Sequence, residues 1–267
     1  DAVSDVPDDQ GGRVYVDWSR SGYDFADETA LPVAGYNLYR RLDNPVLAAE
    51  VRRAGSPGTA DASAWPSPDV PSYAYKGGTY ITGSTAEATP ASIPPGTWVL
   101  MGSAYATQSD SYRFEATTEA DSSATGSHDA VYLITAHTTT PSVWFSSALV
   151  SGHSVDNIAP AVPTNVSLAY FTGSGNLLAW DPAPETDFQY FHVYRDTDPS
   201  FAPSPANLVH STIATGWTDP DHDTDGVFYR ITTLDHAGNE SGPASAGTVT
   251  GAENPSAPPM FALHPNV

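Results

Sequence analysis

GRVYVDW (12–18), GYNLYR (35–40) and AVYLITA (130–136) recur in the same order as GNLLAWD (175–181), YFHVYR (190–195) and VFYRITT (227–233). Trp18 aligns with Trp180 at an offset of 162. Within each block apolar or aromatic residues alternate with polar ones, so Phe191 and Val193 fall on one face of an extended chain and their neighbours on the other. Gly, Pro and Asp flank the blocks as turn signals. Strands repeated in fixed order mean two copies of one β-fold.

The copies differ in length. Tyr36 and Tyr132 stand 96 residues apart, Phe191 and Tyr229 only 38, so the first copy carries 58 extra residues between the same two strands. These are expected at about 43–128. TWVLMGSAYA (97–106) and SYRFEATTEA (111–120) still alternate as strands, whereas 53–72 is rich in Ala, Ser, Pro and Gly and reads as loop. Short strands, 24 Pro, 21 Gly and no long helical periodicity indicate an all-β chain of antiparallel sandwiches. The expected organisation is one sandwich over 1–156, a second over 157–250, and an extended Pro-rich tail over 251–267. In the linker SVDNIAPAVP (154–163), Pro160 and Pro163 restrict the backbone and favour a stiff connection.

Acidic residues outnumber basic ones 31 to 10, a formal charge of −21. Phosphate neutralisation needs clustered Lys and Arg, so the charge argues against nucleic acid and anionic membranes as partners. No apolar run approaches the ~20 residues of a membrane-spanning helix. A strongly negative surface also keeps an exported protein soluble. With no cysteine, disulfides, thiolate metal sites and cysteine nucleophiles are impossible. The chain begins at Asp1 without a hydrophobic signal segment, as a processed secreted protein would.

Residues 160–250 resemble a fibronectin type III domain. The likeness rests on a Pro-rich lead-in (PAVPTNVSL), a Trp closing the second strand (LLAWDPAPETDF), the FHVYR strand, and VFYRITTLDHAGNESGPAS. Tyr229 occupies the place of that family's corner tyrosine, whose hydroxyl ties a loop to the sheet. DVPDDQGGRVYVDWSRSGYD with PVAGYNLYRR is similar to a divergent version of the same fold in bacterial secreted and cell-surface proteins. AHTTTPSVWFSSALVSGHSVDNIAP resembles its final strands and exit linker. The resemblance implies two tandem fibronectin type III-like domains, the first interrupted by the insertion. FALHPNV (261–267) resembles the lead-in to a C-terminal sorting segment of such proteins, implying that a sorting domain is removed on export.

Signatures of catalysis are absent. There is no Gly-x-Ser-x-Gly elbow, no His-Glu-x-x-His and no phosphate loop, and the eight His are scattered. The most specific local motif is DPDHDTDG (219–226), where Asp221, Asp223 and Asp225 before Gly226 match the opening of a calcium loop. The twelfth position, which should be a bidentate Glu, is Thr232, and a polar turn between strands is the competing reading. In WPSPDVPSYAYKGGTY (65–80), Trp65, Tyr73, Tyr75 and Tyr80 could form an aromatic platform for glycans or a neighbouring subunit. Packing of the insertion on its own sandwich is the alternative. Lys76 is the single lysine, which excludes a lysine–asparagine crosslink in the second domain.

In the tail, Met260, Phe261 and Leu263 are the apolar anchors. Burying the latter two against another copy would contribute roughly 1.5–3 kcal/mol each before ordering costs. The expected function is therefore a non-enzymatic, extracellular structural subunit that assembles head to tail with copies of itself into a filament or surface layer. A carbohydrate-binding or adhesive surface module is the alternative.

Overall fold

The computed structural model describes residues 1–57, 65, 70–83, 92–123, 126–171, 173–223 and 225–248. The chain divides into two compact units, Asp1–Asn157 and Ile158–Val267.

In the second unit the strands are β12 (Ser167–Phe171), β13 (Gly175–Ala179), β14 (Phe188–Asp196), β15 (Leu208–Thr212), β16 (Gly216–Asp219), β17 (Phe228–Asp235), β18 (Ala244–Ser245) and β19 (Gly247–Thr248). They form two four-stranded sheets, in the orders β16-β13-β12-β19 and β15-β14-β17-β18. Alternation decides what lies between them. Leu178 and Trp180 from one sheet meet Phe191, Val193, Tyr229 and Ile231 from the other, while the intervening side chains face outward.

The first unit is built from β1 (Ala2–Asp5), β2 (Arg13–Ser19), β3 (Val33–Arg41), α1 (Pro45–Ala54), β4 (Ser56–Pro57), β5 (Ser72–Tyr75), β6 (Gly78–Gly83), β7 (Gly96–Tyr105), β8 (Ser111–Thr117), β9 (Ala130–Thr138), β10 (Trp144–Ser146) and β11 (Val150–Gly152). One sheet runs β1-β2-β8; the other runs β10-β9-β3-β7-β6-β5-β4, with β11 also pairing β9. Between them lie Val14, Val16, Trp18, Tyr36, Leu38, Tyr132 and Ile134. Strand for strand, β2, β3, β7, β8 and β9 take the places of β13, β14, β15, β16 and β17. Both units are β-sandwiches that share this strand arrangement.

This correspondence relocates the insertion. The strands of 97–120, placed inside the insertion by the sequence reading, are β7 and β8 and belong to the sandwich itself. The surplus therefore lies in 42–95, between β3 and β7, and not throughout 43–128. Its start is a helix, which the sequence reading did not expect. Asn44 accepts hydrogen bonds from the Val46 and Leu47 amides, Pro45 occupies the first turn, and the Gly55 amide closes on the Val51 carbonyl. The signal was Asn-Pro before LAAEVRRA with Gly after it.

The insertion also explains a departure from alternation. β3 and β9 are buried on both faces over most of their length, whereas β14 alternates. The outer face of β3 and β9 is covered: Tyr39, Leu133 and Trp144 pack with Ile81, Ile93 and Trp98. α1 adds a smaller cluster of Ala48 and Val51 with Leu42, against which Tyr73, Tyr75 and Tyr80 pack. The insertion thus extends the β3–β7–β9 sheet by β4, β5 and β6 and adds a second apolar cluster on its outer face.

Candidate functional site

The acidic residues near the cores are committed to the scaffold. Asp219, fully buried at the end of β16, accepts from Arg195 and from the Tyr229 hydroxyl at 2.6 Å. Tyr229 thus ties its strand to the far end of β16. Its counterpart Tyr132 donates to the Thr117 carbonyl at the end of β8, and burial pushes this hydroxyl up to about 12 against the opposing charge of Arg40. Asp5, Asp9 and Asp121 bind the exit segment: the Val155 amide and Asn157 Nδ2 donate to Asp5, the Ser154 hydroxyl donates to Asp121, and the Asp9 amide donates to Asn157 Oδ1. The acid-rich lead of the chain is a set of backbone clamps.

Among the described residues no catalytic geometry emerges around the serine-flanked histidines. Ser127 Oγ donates to Asp129 and His153 Nδ1 lies 3.1 Å from that same carboxylate. The carboxylate sits between serine and imidazole, so the base cannot take the serine proton as a nucleophilic triad requires.

A cleft of about 270 Å³ opens beside the core of the first unit, lined by Trp18, Tyr36, Ile134, Ala136, Phe145 and Ser146, with Asp1 and Ser19 at its edge. Backbone arrangement creates it. β1 begins at Ala2, paired with Asp17, so Trp18 and Ser19 of β2 extend beyond it. On the opposite side β10 ends at Ser146 and β11 resumes only at Val150. Behind the cleft, buried Asp24 accepts from the hydroxyls of Tyr36 and Tyr112 and from the Gln108 amide. Burial and then the Asp24 carboxylate push the Tyr36 hydroxyl well above its usual range, although the bond from the Ser21 amide opposes them. Tyr36 stays a donor. Trp18 is 4% exposed and its indole Nε1 has no partner among the described residues; Trp180 shares that property. Phe145 stacks on Tyr23 at 4.9 Å. No sequence pattern marked the cleft, because its walls come from four strands.

The outer faces of the two units carry matching polar clusters. In the first, Asn37 Nδ2 reaches Tyr39 Oη and the Trp65 carbonyl, and Asn37 Oδ1 accepts from the Trp65 amide. Trp65 Nε1 donates to the Ala104 carbonyl, and the ring stands edge-on to Tyr105, 76% exposed. In the second, Glu240 takes the equivalent place, accepting from Tyr194 and Thr232, with His192 Nδ1 at 3.5 Å. Burial alone would raise the Glu240 carboxyl; the two hydroxyl donors and His192 outweigh it and hold it below the usual value.

The four aromatics expected as one platform are split. Tyr73 and Tyr80 are cross-strand partners and Tyr75 donates to Glu50, all against α1. Trp65 sits instead on β3 and β7 with Tyr105, a residue the sequence reading had not singled out.

The three expected calcium ligands are also dispersed. Asp221 is exposed with Arg195 at 3.8 Å, Asp223 accepts from the Gly173 amide, and Asp225 is exposed. Among the described residues their carboxylates do not converge on a common point. The expected convergence needs a loop wound around the ion, whereas here the segment is a turn joining β16 to β17. Met260, Phe261 and Leu263 lie outside the described residues.

No family model matches the chain, and no curated protein does. Among solved structures it is similar to the FN1-FN3 domains of chicken CNTN1, at 12% identity over 91% of this chain and 66% of that one, with a TM-score of 0.30. A run of domains from titin matches at 10% identity over 92% and 95%, TM-score 0.31. A beta-1,2-glucanase from Parabacteroides distasonis matches at 16% identity over 88% and 30%, TM-score 0.26. The chain thus spans about two thirds of the CNTN1 fragment and under a third of the glucanase. Among the described residues no helix is long and apolar enough to cross a membrane.

Proposed function

We propose that this protein is a non-enzymatic, extracellular structural subunit that associates head to tail with copies of itself, giving a filament or surface layer. One observation carries the reading: among the described residues each unit already has two sheets packed over an apolar core. The sequence then continues past the last described strand into a Pro-rich segment with the apolar Met260, Phe261 and Leu263. An apolar segment of this kind is a natural donor to another copy. The commitment of Asp24, Asp121 and Asp219 to scaffold bonds supports a structural role over a chemical one.

The test is removal of residues 254–267. Full-length protein is expected to sediment as polymers visible by electron microscopy, and the truncated protein to remain monomeric with an unchanged melting temperature. A monomeric full-length protein, or polymers formed equally well by the truncation, would overturn the reading.

A glycan-binding module is the second reading, favoured by the exposed Tyr105 beside Trp65. If it holds, Tyr105→Ala abolishes retention on polysaccharide columns while leaving polymerisation intact. No retention of the parent protein on any glycan tested ends it.

A further inference from the structure

The corresponding outer faces of the two units are finished differently. In the first, Tyr39, Val131 and Leu133 pack with Ile81, Ile93 and Trp98. In the second, the residue aligned with Val131 is Phe228, and it stands 41% exposed, with Leu208 open beside its cross-strand partner Tyr194. Next to them lies an accessible carboxylate. Glu240 Oε1 takes the Tyr194 and Thr232 hydroxyls, with His192 Nδ1 at 3.5 Å, while Oε2 accepts nothing among the described residues. Arg230, between Phe228 and Thr232 on β17, is drawn aside over the Phe201 ring and to the Pro199 carbonyl. The second unit therefore presents an apolar patch with a fixed negative charge beside it.

The first unit presents the complement. Val46, Ala49 and Arg53 recur at helical spacing on α1, opposite the buried Ala48 and Val51, and form one exposed stripe. Val46 is 68% exposed, and Glu50 on the same side is tied to the Tyr75 hydroxyl. Arg13, Arg41 and Arg113 are occupied by carboxylates of their own chain. Arg53 has neither ion pair nor hydrogen bond among the described residues. The spacings agree as well. Val46 to Arg53 spans about 10 Å at ~1.5 Å per helical residue, and Phe228 to Thr232, beside which Glu240 sits, about 13 Å at ~3.3 Å per strand residue.

Resting on the assembly reading above, we infer that the α1 stripe of one copy docks on the outer face of β14 and β17 in another, Val46 against Phe228 and the Arg53 guanidinium on Glu240. A chain of net charge −21 repels its copies, so a contact between them forms best where one of its few unpaired cations meets a carboxylate. Each of the two surfaces occurs once per chain. The contact is therefore heterologous and leaves one of each surface free to propagate it.

Because the chain has no cysteine, disulfide trapping tests this in the full-length protein. Val46→Cys combined with Phe228→Cys is expected to give a ladder of trimers and higher species on mild oxidation, and either substitution alone nothing beyond dimers. Val46→Cys with Ile213→Cys is the control, since Ile213 is 78% exposed on the turn from β15 to β16, off the proposed face. Arg53→Glu should raise the concentration needed for polymerisation at least tenfold while leaving the melting temperature unchanged, and Arg53→Lys should polymerise like the parent. Crosslinking as strong in the Ile213→Cys pair as in the Phe228→Cys pair, disulfides closed within single molecules, or an Arg53→Glu protein that polymerises like its parent overturns this inference and leaves the assembly reading standing. Absence of polymers in the parent protein removes both.

Discussion

Asp219 shows how a single residue secures the second unit. A carboxylate withdrawn from water is costly, and the cost is offset only if charge and hydrogen-bond partners are all in place. Arg195, Tyr229 and the Asp221 amide supply them. Burial pushes the Asp219 carboxyl up, but the bonds from Tyr229 and Arg195 outweigh it and hold it below its ordinary value of 3.8. A depressed folded-state value means the stabilisation is whole above the unfolded-state value and fades as pH falls through the folded one. Asp219→Asn is expected to lower unfolding stability by about 3 kcal/mol near neutrality, since Arg195 loses its buried partner and keeps only the exposed Asp221 at 3.8 Å. The gap from the parent protein should narrow below about pH 4, and urea denaturation across pH checks both. Glu240→Gln should follow the same sign: its carboxyl is likewise depressed, so the variant's deficit is largest above the ordinary Glu value and shrinks in acid. A pH-independent deficit would contradict the assignment.

At the scale of elements, one absent side chain makes room for Trp65 of the insertion on β3. A Cβ on Gly35 would lie 1.9 Å from Trp65 Nε1 and 2.5 Å from the Ala104 carbonyl. Only glycine lets the indole lie against β3. The aligned position in the second unit is Tyr190, where the outer face carries no such lid. Gly35→Ala is expected to cost about 1–3 kcal/mol through overpacking and to shift tryptophan emission to the red as Trp65 leaves the surface. Unchanged emission would mean that Trp65 does not depend on the glycine. The contrast between GYNLYR and YFHVYR thus held a legible sign of this close approach, although recognising it required knowing which residue came near. The helix α1 was legible too, from its Asn-Pro cap and trailing Gly.

For the whole molecule the dominant number is the charge of −21. Like charges on one chain repel, over a screening length of about 30 Å at 0.01 M salt but only about 8 Å at 0.15 M. Raising sodium chloride across that range is expected to raise the melting temperature by a few degrees and to promote association between copies. Calorimetry and sedimentation read the two effects separately. A melting temperature independent of salt would show that Arg13–Glu115, Arg113–Asp17 and similar surface pairs already balance the repulsion.

Alternation and repetition by themselves determined the two sandwiches, since the period of two dictates which side chains face inward and Trp18, Trp180, Tyr132 and Tyr229 mark equivalent strands. The absence of cysteine likewise excluded disulfides. Tertiary structure alone decided the extent of the insertion, the division of the four aromatics between two places, the dispersal of Asp221, Asp223 and Asp225, and the cleft at Trp18. The reason is physical: periodicity reports the environment of one strand at a time. A lid, a ligand set or a cleft depends on distances between residues far apart in sequence, which are settled only when the sheets pack.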